Sequence, residues 1–327
     1  MGCLAKEEGR EEGAKLQPGT ARADLTEEEI RLLINELSQR LASSRKAALL
    51  YLYYPGATLM SKEDVIKVYN LFRNNGPINN LAVFLHSGGG DIAAAYDIIN
   101  LCRKYTRGKI SALVPQWAMS AATLIALGAD ELVPSKIGKL GPLDPVTRHP
   151  ELGWLPVRAI TDVPRVLSEE IHEFKGKGGE LPPERLISLK ADAIIKPMAE
   201  QADPYLHAAF AKTASVARMY GEKVFAAKKV SRERAGKCLE HLITVYPIHG
   251  YELDANELHE NPVFRDVVKI ASPSRADEDC MMDLLMAFLL LDQRRRQRGD
   301  PLRSRLIDLV TSRRPHERHR SAKTSPN

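Results

Sequence analysis

Three glycines and one serine supply the groups that acyl chemistry needs. Gly88, Gly89 and Gly90 stand directly after Ser87, at the end of the apolar run Leu81 to His86. Turn glycines let backbone N–H groups face a ligand with no Cβ in the way. Ser120 opens a second run of small and apolar residues, Ser120 to Leu127, closed by Gly128. A helix beginning there leaves unpaired N–H groups beside a partial positive charge, a setting that stabilises an oxyanion. The serine hydroxyl would lie beside that hole, where a nucleophile attacking a carbonyl is needed. A serine at such a position also serves as a plain helix N-cap, and spacing alone leaves both roles open.

The two turns meet only if parallel strands aim them at one place. Leu81 to His86 has the length and unbroken apolarity of a strand buried on both faces, and Asp91 opens the helical pattern after the glycines. Ile110 to Val114 is a second such strand, broken by Pro115 before the Ser120 helix. Upstream, Ala47 to Tyr53 predicts the first strand, and Pro55 to Thr58 a loop. A helix over about Lys62 to Asn74 follows, capped by Ser61, with Val65, Val68, Leu71 and Phe72 on one face. Glu131 to Val133 predicts another short strand, and Gly138 to Pro145 a turn. Strand and helix repeating in this way predict an α/β fold wound as a right-handed βαβ spiral. A helix from Glu27 to Leu41, opened by a Thr26/Glu29 capping box, leads into it. Beyond the spiral, His149 to Pro183 is a looser stretch, with Gly176, Gly178 and Gly179 marking a flexible segment. Helices are expected over Glu184 to Ala202, from Pro204 behind an Asp203 cap to about Tyr220, and over Ser231 to Leu242. Met281 to Leu291 predicts an apolar helix packed on the domain or on a second subunit.

From about Tyr51 to Val146 the chain resembles the Clp-fold serine proteinases of the serine dehydrogenase proteinase family, relatives of signal peptide peptidase and the Clp protease subunit. Three ordered blocks carry the resemblance: HSGGGD at His86 to Asp91, AMSAATLIALGAD at Ala118 to Asp130, and LGPLDP at Leu140 to Pro145. The resemblance implies a Clp/crotonase-type βαβ superhelix with added C-terminal helices. It implies Ser120 as nucleophile, an oxyanion hole from the N–H groups of Gly90 and Ala121, and Gly89 shaping the turn. It places the turn with Asp144 near the active site, where that carboxylate would orient a catalytic group, contact substrate, or cap the turn. The resemblance also makes Lys196, in an ADxxxK element at Ala191 to Lys196, the candidate general base, with a histidine, as in the Clp protease, as the alternative. Thr244 to Glu260 resembles the family's closing YPI segment. The chain departs from the family at Gly88, usually proline, at Ala122, often glycine, and at Val146, usually glutamine. It departs again at Thr244, where relatives often have histidine, and His249 on the other side of the tyrosine is not assumed to replace it.

The chain has 327 residues, 44% apolar and 27% charged, which is ordinary for a soluble globular protein. Cys3, Cys102, Cys238 and Cys280 form no CxxC pair, and no secretory signal precedes them, so free thiols in a reducing cytoplasm are expected. The longest apolar run, Leu284 to Leu291, is far short of the roughly 20 residues of a bilayer span. Formal net charge is +5, yet Asp292 to Asn327 holds eleven Lys and Arg against four Asp and Glu, leaving the rest at −2. That basic tail lacks the interleaved aromatics of a nucleic-acid binder and reads as solvated and dispensable for folding. The GxSxG elbow is absent, since Ala118 and Ala122 flank Ser120, and so is an HExxH zinc signature. No metal or cofactor is expected. The organisation expected is a disordered tail over 1–24, a Clp/crotonase-like domain over 25–270, and a helical extension with the basic tail over 271–327. Function is read as a serine peptidase or amidase working through an acyl-enzyme on a peptide or protein substrate, in a homo-oligomer. The alternatives are a non-catalytic Clp-fold scaffold or peptide-binding protein, and crotonase-type acyl-CoA chemistry.

Overall fold

The computed structural model describes residues 25–149, 153–156, 188, 204–246, 248–298 and 305–311. The expected N-terminal tail, the glycine-marked segment and the helix carrying Lys196 lie outside the described residues. The chain enters through α1 (Glu27–Arg45), whose capping box joins the Thr26 and Glu29 side chains and backbones reciprocally. Strand β1 (Ala48–Tyr53), helix α2 (Lys62–Asn75), strand β2 (Leu81–His86), helix α3 (Ile92–Tyr105) and strand β3 (Ile110–Val114) then alternate. A two-residue strand β4 (Trp117–Ala118), helix α4 (Ala121–Gly128) and strand β5 (Glu131–Pro134) complete the repeat.

Strands β1, β2, β3 and β5 lie side by side in that order, all parallel, so each crossover helix carries the chain one strand further across. Register aligns Leu81 with Ile110 and Ser111 with Glu131. The unbroken apolar strands follow from cover on both faces. Leu50, Leu52, Val83, Leu85 and Ala112 face the core built by α2, α3 and α4. Leu49, Tyr53, Ala82, Phe84 and Leu113 face the opposite layer, which α1 shares with a late helix.

After β6 (Lys139–Leu140) the chain forms an antiparallel hairpin of β7 (Val146–His149) and β8 (Gly153–Pro156). The looser stretch expected from His149 therefore begins with a hairpin. Helix α5 (Pro204–Ala227) starts at the expected proline and runs past Tyr220. Helix α6 (Arg232–Glu240), capped by Ser231, continues into a π-helical turn, His241–Val245. Two short helices, Ala255–Glu260 and Pro262–Arg265, lead to β9 (Lys269–Ile270), which adds a parallel strand beside β5.

The C-terminal apolar helix packs on the domain as expected, and the tail beyond it departs from expectation. Helix α7 (Arg275–Gln297) packs on α1, and β10 (Leu306–Val310) adds an antiparallel edge strand to β1. Register pairs Leu49 with Val310 and Tyr53 with Leu306. Arg305 reaches both oxygens of the fully buried Asp64 on α2, at 3.0 and 2.9 Å, and Ser61 Oγ at 2.7 Å. The apolar cluster of the basic tail is thus part of the central sheet, because an edge strand needs only one covered face and one pairing partner. No described helix is long and apolar enough to cross a membrane.

Candidate active site

The glycine turn and the serine turn are laid against each other by strand pairing. Just past β2, Ser87 donates its N–H to Trp117 O at 3.1 Å, and its carbonyl accepts Met119 N–H at 2.9 Å. These bonds extend the parallel sheet by one residue and bring Gly89 over Ser120. A Cβ at Gly89 would stand 2.9 Å from Ser120 Cβ and 3.4 Å from Ser120 Oγ, so this position requires glycine. Its φ of +111° adds the same requirement from the backbone.

Gly90 is held from the other side. Met60 N–H donates to Gly89 O at 2.9 Å and Met60 O accepts Asp91 N–H at 3.0 Å. In a parallel bridge those bonds come from the flanking residues, so the N–H and C=O of Gly90 itself point away from Met60. Gly89 N–H is occupied by Ser87 Oγ at 3.1 Å. Among the described residues, Gly90 N–H has no hydrogen-bond partner. Neither does Ala121 N–H, the first of the orphan amides at the start of α4. The amides that the resemblance implies for an oxyanion hole are thus unbonded among the described residues, as are those of Gly88 and Ser120.

Ser120 occupies the N-cap position of α4 but makes no capping hydrogen bond. Its φ of 52° and ψ of −121° match the first central residue of a type II′ turn, a region meant for glycine. Ala122 N–H closes that turn on Met119 O at 2.9 Å. Holding an L-residue there costs about 1–3 kcal/mol. A cap needs extended backbone and a bonded oxygen; Ser120 has neither, and its half-buried hydroxyl is unpartnered among the described residues.

Thr123, one turn on, was not singled out by sequence, yet its buried hydroxyl joins the second and third blocks. Thr123 Oγ1 lies 2.8 Å from the carbonyls of Ala118 and Gly141 and accepts Gly141 N–H at 3.1 Å. Gly141 in turn presses on Met119, whose Cα would lie 3.2 Å from a Cβ there. The LGPLDP turn is thereby fixed against the residue preceding Ser120.

That turn carries Asp144, 2% exposed, and its carboxylate meets a partner that sequence reasoning had set aside. His249 Nδ1 lies 2.8 Å from Asp144 Oδ1. A carboxylate can only accept, so Nδ1 carries the proton and Nε2 is the basic nitrogen of the neutral ring. The pair is assembled by backbone: Leu140 and Leu253 exchange two hydrogen bonds at 3.0 and 2.9 Å, and Leu143 N–H donates to Leu242 O at 2.9 Å. Lys139 and Glu252 add an ion pair between the same segments.

Other titratable groups have partners of their own. His86 ends β2 as expected, stacked between Tyr53 and Trp117, and burial pushes its pKa down to about 4. His241 Nε2 sits 3.1 Å from Tyr246 Oη and 3.2 Å from Asn261 Nδ2. Burial pushes Lys228 down to about 8, but it donates to Leu127 O and Val267 O at the far end of α4, about 12 Å of helix from Ser120. Lys196 lies outside the described residues. Among the described residues, no group of three His, Cys, Asp or Glu is placed to hold a metal ion.

Two uncharacterized proteins of Methanocaldococcus jannaschii are similar in sequence. One is 31% identical over 36% of this chain and 38% of its own length, the other 30% over 33% and 34%. The matched stretch spans little more than a third of either relative. Among solved structures, a 1510-N membrane-bound stomatin-specific protease aligns over 65% of this chain and 75% of its own, with 13% identity and a TM-score of 0.37. ClpP1 from Listeria monocytogenes aligns over 73% of this chain and 98% of its own, with 14% identity and a TM-score of 0.35. Residues 30–168, which hold the glycine turn, Ser120 and Asp144, match the family of ClpP-like SDH-type serine proteinases, the family that the three sequence blocks resemble.

Proposed function

We propose that the protein is a serine peptidase or amidase in which Ser120 forms the acyl-enzyme. The observation that carries this reading is the backbone of Ser120, held at positive φ with its hydroxyl spared from capping. Ser120 Oγ attacks the scissile carbonyl as a base takes its proton. The tetrahedral oxyanion accepts the N–H groups of Gly90 and Ala121, each donor worth roughly 10²- to 10³-fold in rate. Collapse breaks the C–N bond, the amine leaves with the proton held by the base, and water then hydrolyses the ester by the reverse roles. A peptide substrate and a homo-oligomer belong to the same proposal.

For the base there are two readings. Lys196 follows from the ADxxxK resemblance. His249 is favoured by a specific observation, its 2.8 Å contact with buried Asp144, which fixes the ring's tautomer and supports the imidazolium formed on proton uptake. Here Asp144 positions the base and does not bind substrate.

Intact-mass measurement after treatment with a serine-directed phosphonate tests both levels. One adduct is expected on the wild type and none on Ser120→Ala. His249→Ala should slow labelling at neutral pH by roughly 10²-fold or more, the usual weight of a general base, while Lys196→Met should leave it unchanged. The reverse pattern returns the role to lysine. Absence of any adduct on a folded wild type would move the chain to the scaffold reading that Gly88, Ala122 and Thr244 favour, and a thioester ligand would then be tried.

A further inference from the structure

We propose that the outer face of α7 is a contact between two copies of this chain, packed antiparallel about a two-fold axis passing near Met286. The inner side of α7 is spent on its own sheet: Met281, Leu284, Leu285, Phe288 and Leu291 are buried against α1 and the strands. The helix is apolar on its other side as well. Met286 is 48% exposed and Leu289 38%, with Met282 and Leu290 half-buried beside them. These four fall within one stripe at helical spacing, directly opposite the buried one. Between Met281 and Leu291 Asp283 is the one polar residue, and a helix apolar on both sides is ordinarily covered on both.

Charge says what covers it. The first turns of α7 carry Glu278 and the exposed Asp279, and the last turn carries Arg294 and the exposed Arg296. An inverted copy lays each acidic end over the partner's basic end, and opposes the two helix dipoles favourably. A parallel copy would set like against like. A negatively charged membrane would be repelled by the acidic end. With Met286 at the centre, position 282 meets 290 and position 279 meets 293, so the same patch complements itself, as a two-fold contact requires. Ile137, 48% exposed on the turn whose Lys136 N–H donates to Glu278, extends the apolar surface beyond the helix.

The test is sedimentation velocity and cross-linking of the full chain. The wild type should sediment as more than one chain at micromolar concentration, and Met286→Glu, which sets two carboxylates face to face, should weaken self-association by roughly tenfold or more. Val216→Glu, on an exposed site of α5, is the control and should change nothing. Under mild oxidation, Asp279→Cys mixed with Gln293→Cys should form a disulfide-linked pair that neither variant forms alone, with the wild type and its own cysteines as blank. A wild type that sediments as one chain, or an assembly indifferent to Met286→Glu, overturns the proposal. Cross-linking of each single variant with itself overturns the antiparallel geometry. None of these readings depends on catalysis.

Discussion

Ser120 is strained where a neighbouring alanine would not be, and the strain is measurable apart from activity. At φ 52° and ψ −121° a Cβ is the liability, since glycine visits that region freely. Ser120→Ala keeps the Cβ and Ser120→Gly removes it. The glycine variant should therefore be the more stable of the two by about 1 kcal/mol in denaturant unfolding, with neither labelled by phosphonate. Equal stabilities would mean that the surrounding turn relaxes and that the backbone of Ser120 is not fixed by its context. At this scale the meeting of the Gly89 turn with Ser120 was legible because short blocks of sequence hold both. The contact of His249 with Asp144 was not, because it forms only through the Leu140–Leu253 pairing, which no local pattern announces.

Elements meet at charged junctions as well as in the core. Glu131 opens β5 at the end of the sheet remote from Ser120, and collects Arg45 from α1 at 3.0 Å, Lys109 before β3 at 3.1 Å and Lys269 of β9 at 2.9 Å. Burial pushes its carboxyl up, but hydrogen bonds from Lys269 and Lys109 and their charges outweigh this and hold it at about 2, below its ordinary 4.5. A depressed carboxylate stabilises the fold at pH values above 4.5 and loses that contribution as pH falls through about 2. Wild type should thus unfold at higher denaturant than Glu131→Gln at neutral pH, and the gap should close between about pH 4.5 and about 2. A gap independent of pH would assign the junction to shape and not to charge. The parallel strands were readable because cover on both faces makes them continuously apolar. The β7–β8 hairpin and β10 were not: Val146 to Pro156 is broken by charge and proline, and Leu306 to Val310 lies in a basic surround that reads as solvated tail.

Across the whole molecule the sheet is closed by chain from its two extremes, with α1 and α7 layered on one face and β10 sealing the β1 edge. Truncation after Gln293 should therefore lower the melting temperature, the opposite of what a solvated tail predicts. Arg305→Ala isolates the reason. It leaves the fully buried Asp64 with only the exposed Lys67 at 3.7 Å for a cation and should cost roughly 3 kcal/mol, partly recovered by Asp64→Asn in the same chain. Full stability in the truncated chain would show that β10 rests on the sheet without supporting it. Because Leu49 pairs with Val310, the register also sets a schedule for biosynthesis. At roughly 5–20 residues per second, β1 waits tens of seconds for its outer partner. During that time its open edge offers unpaired amides and carbonyls to any passing strand. A ribosome stalled before Arg305 would release a product marked by that edge, so synthesis past Val310 is itself recorded in the fold.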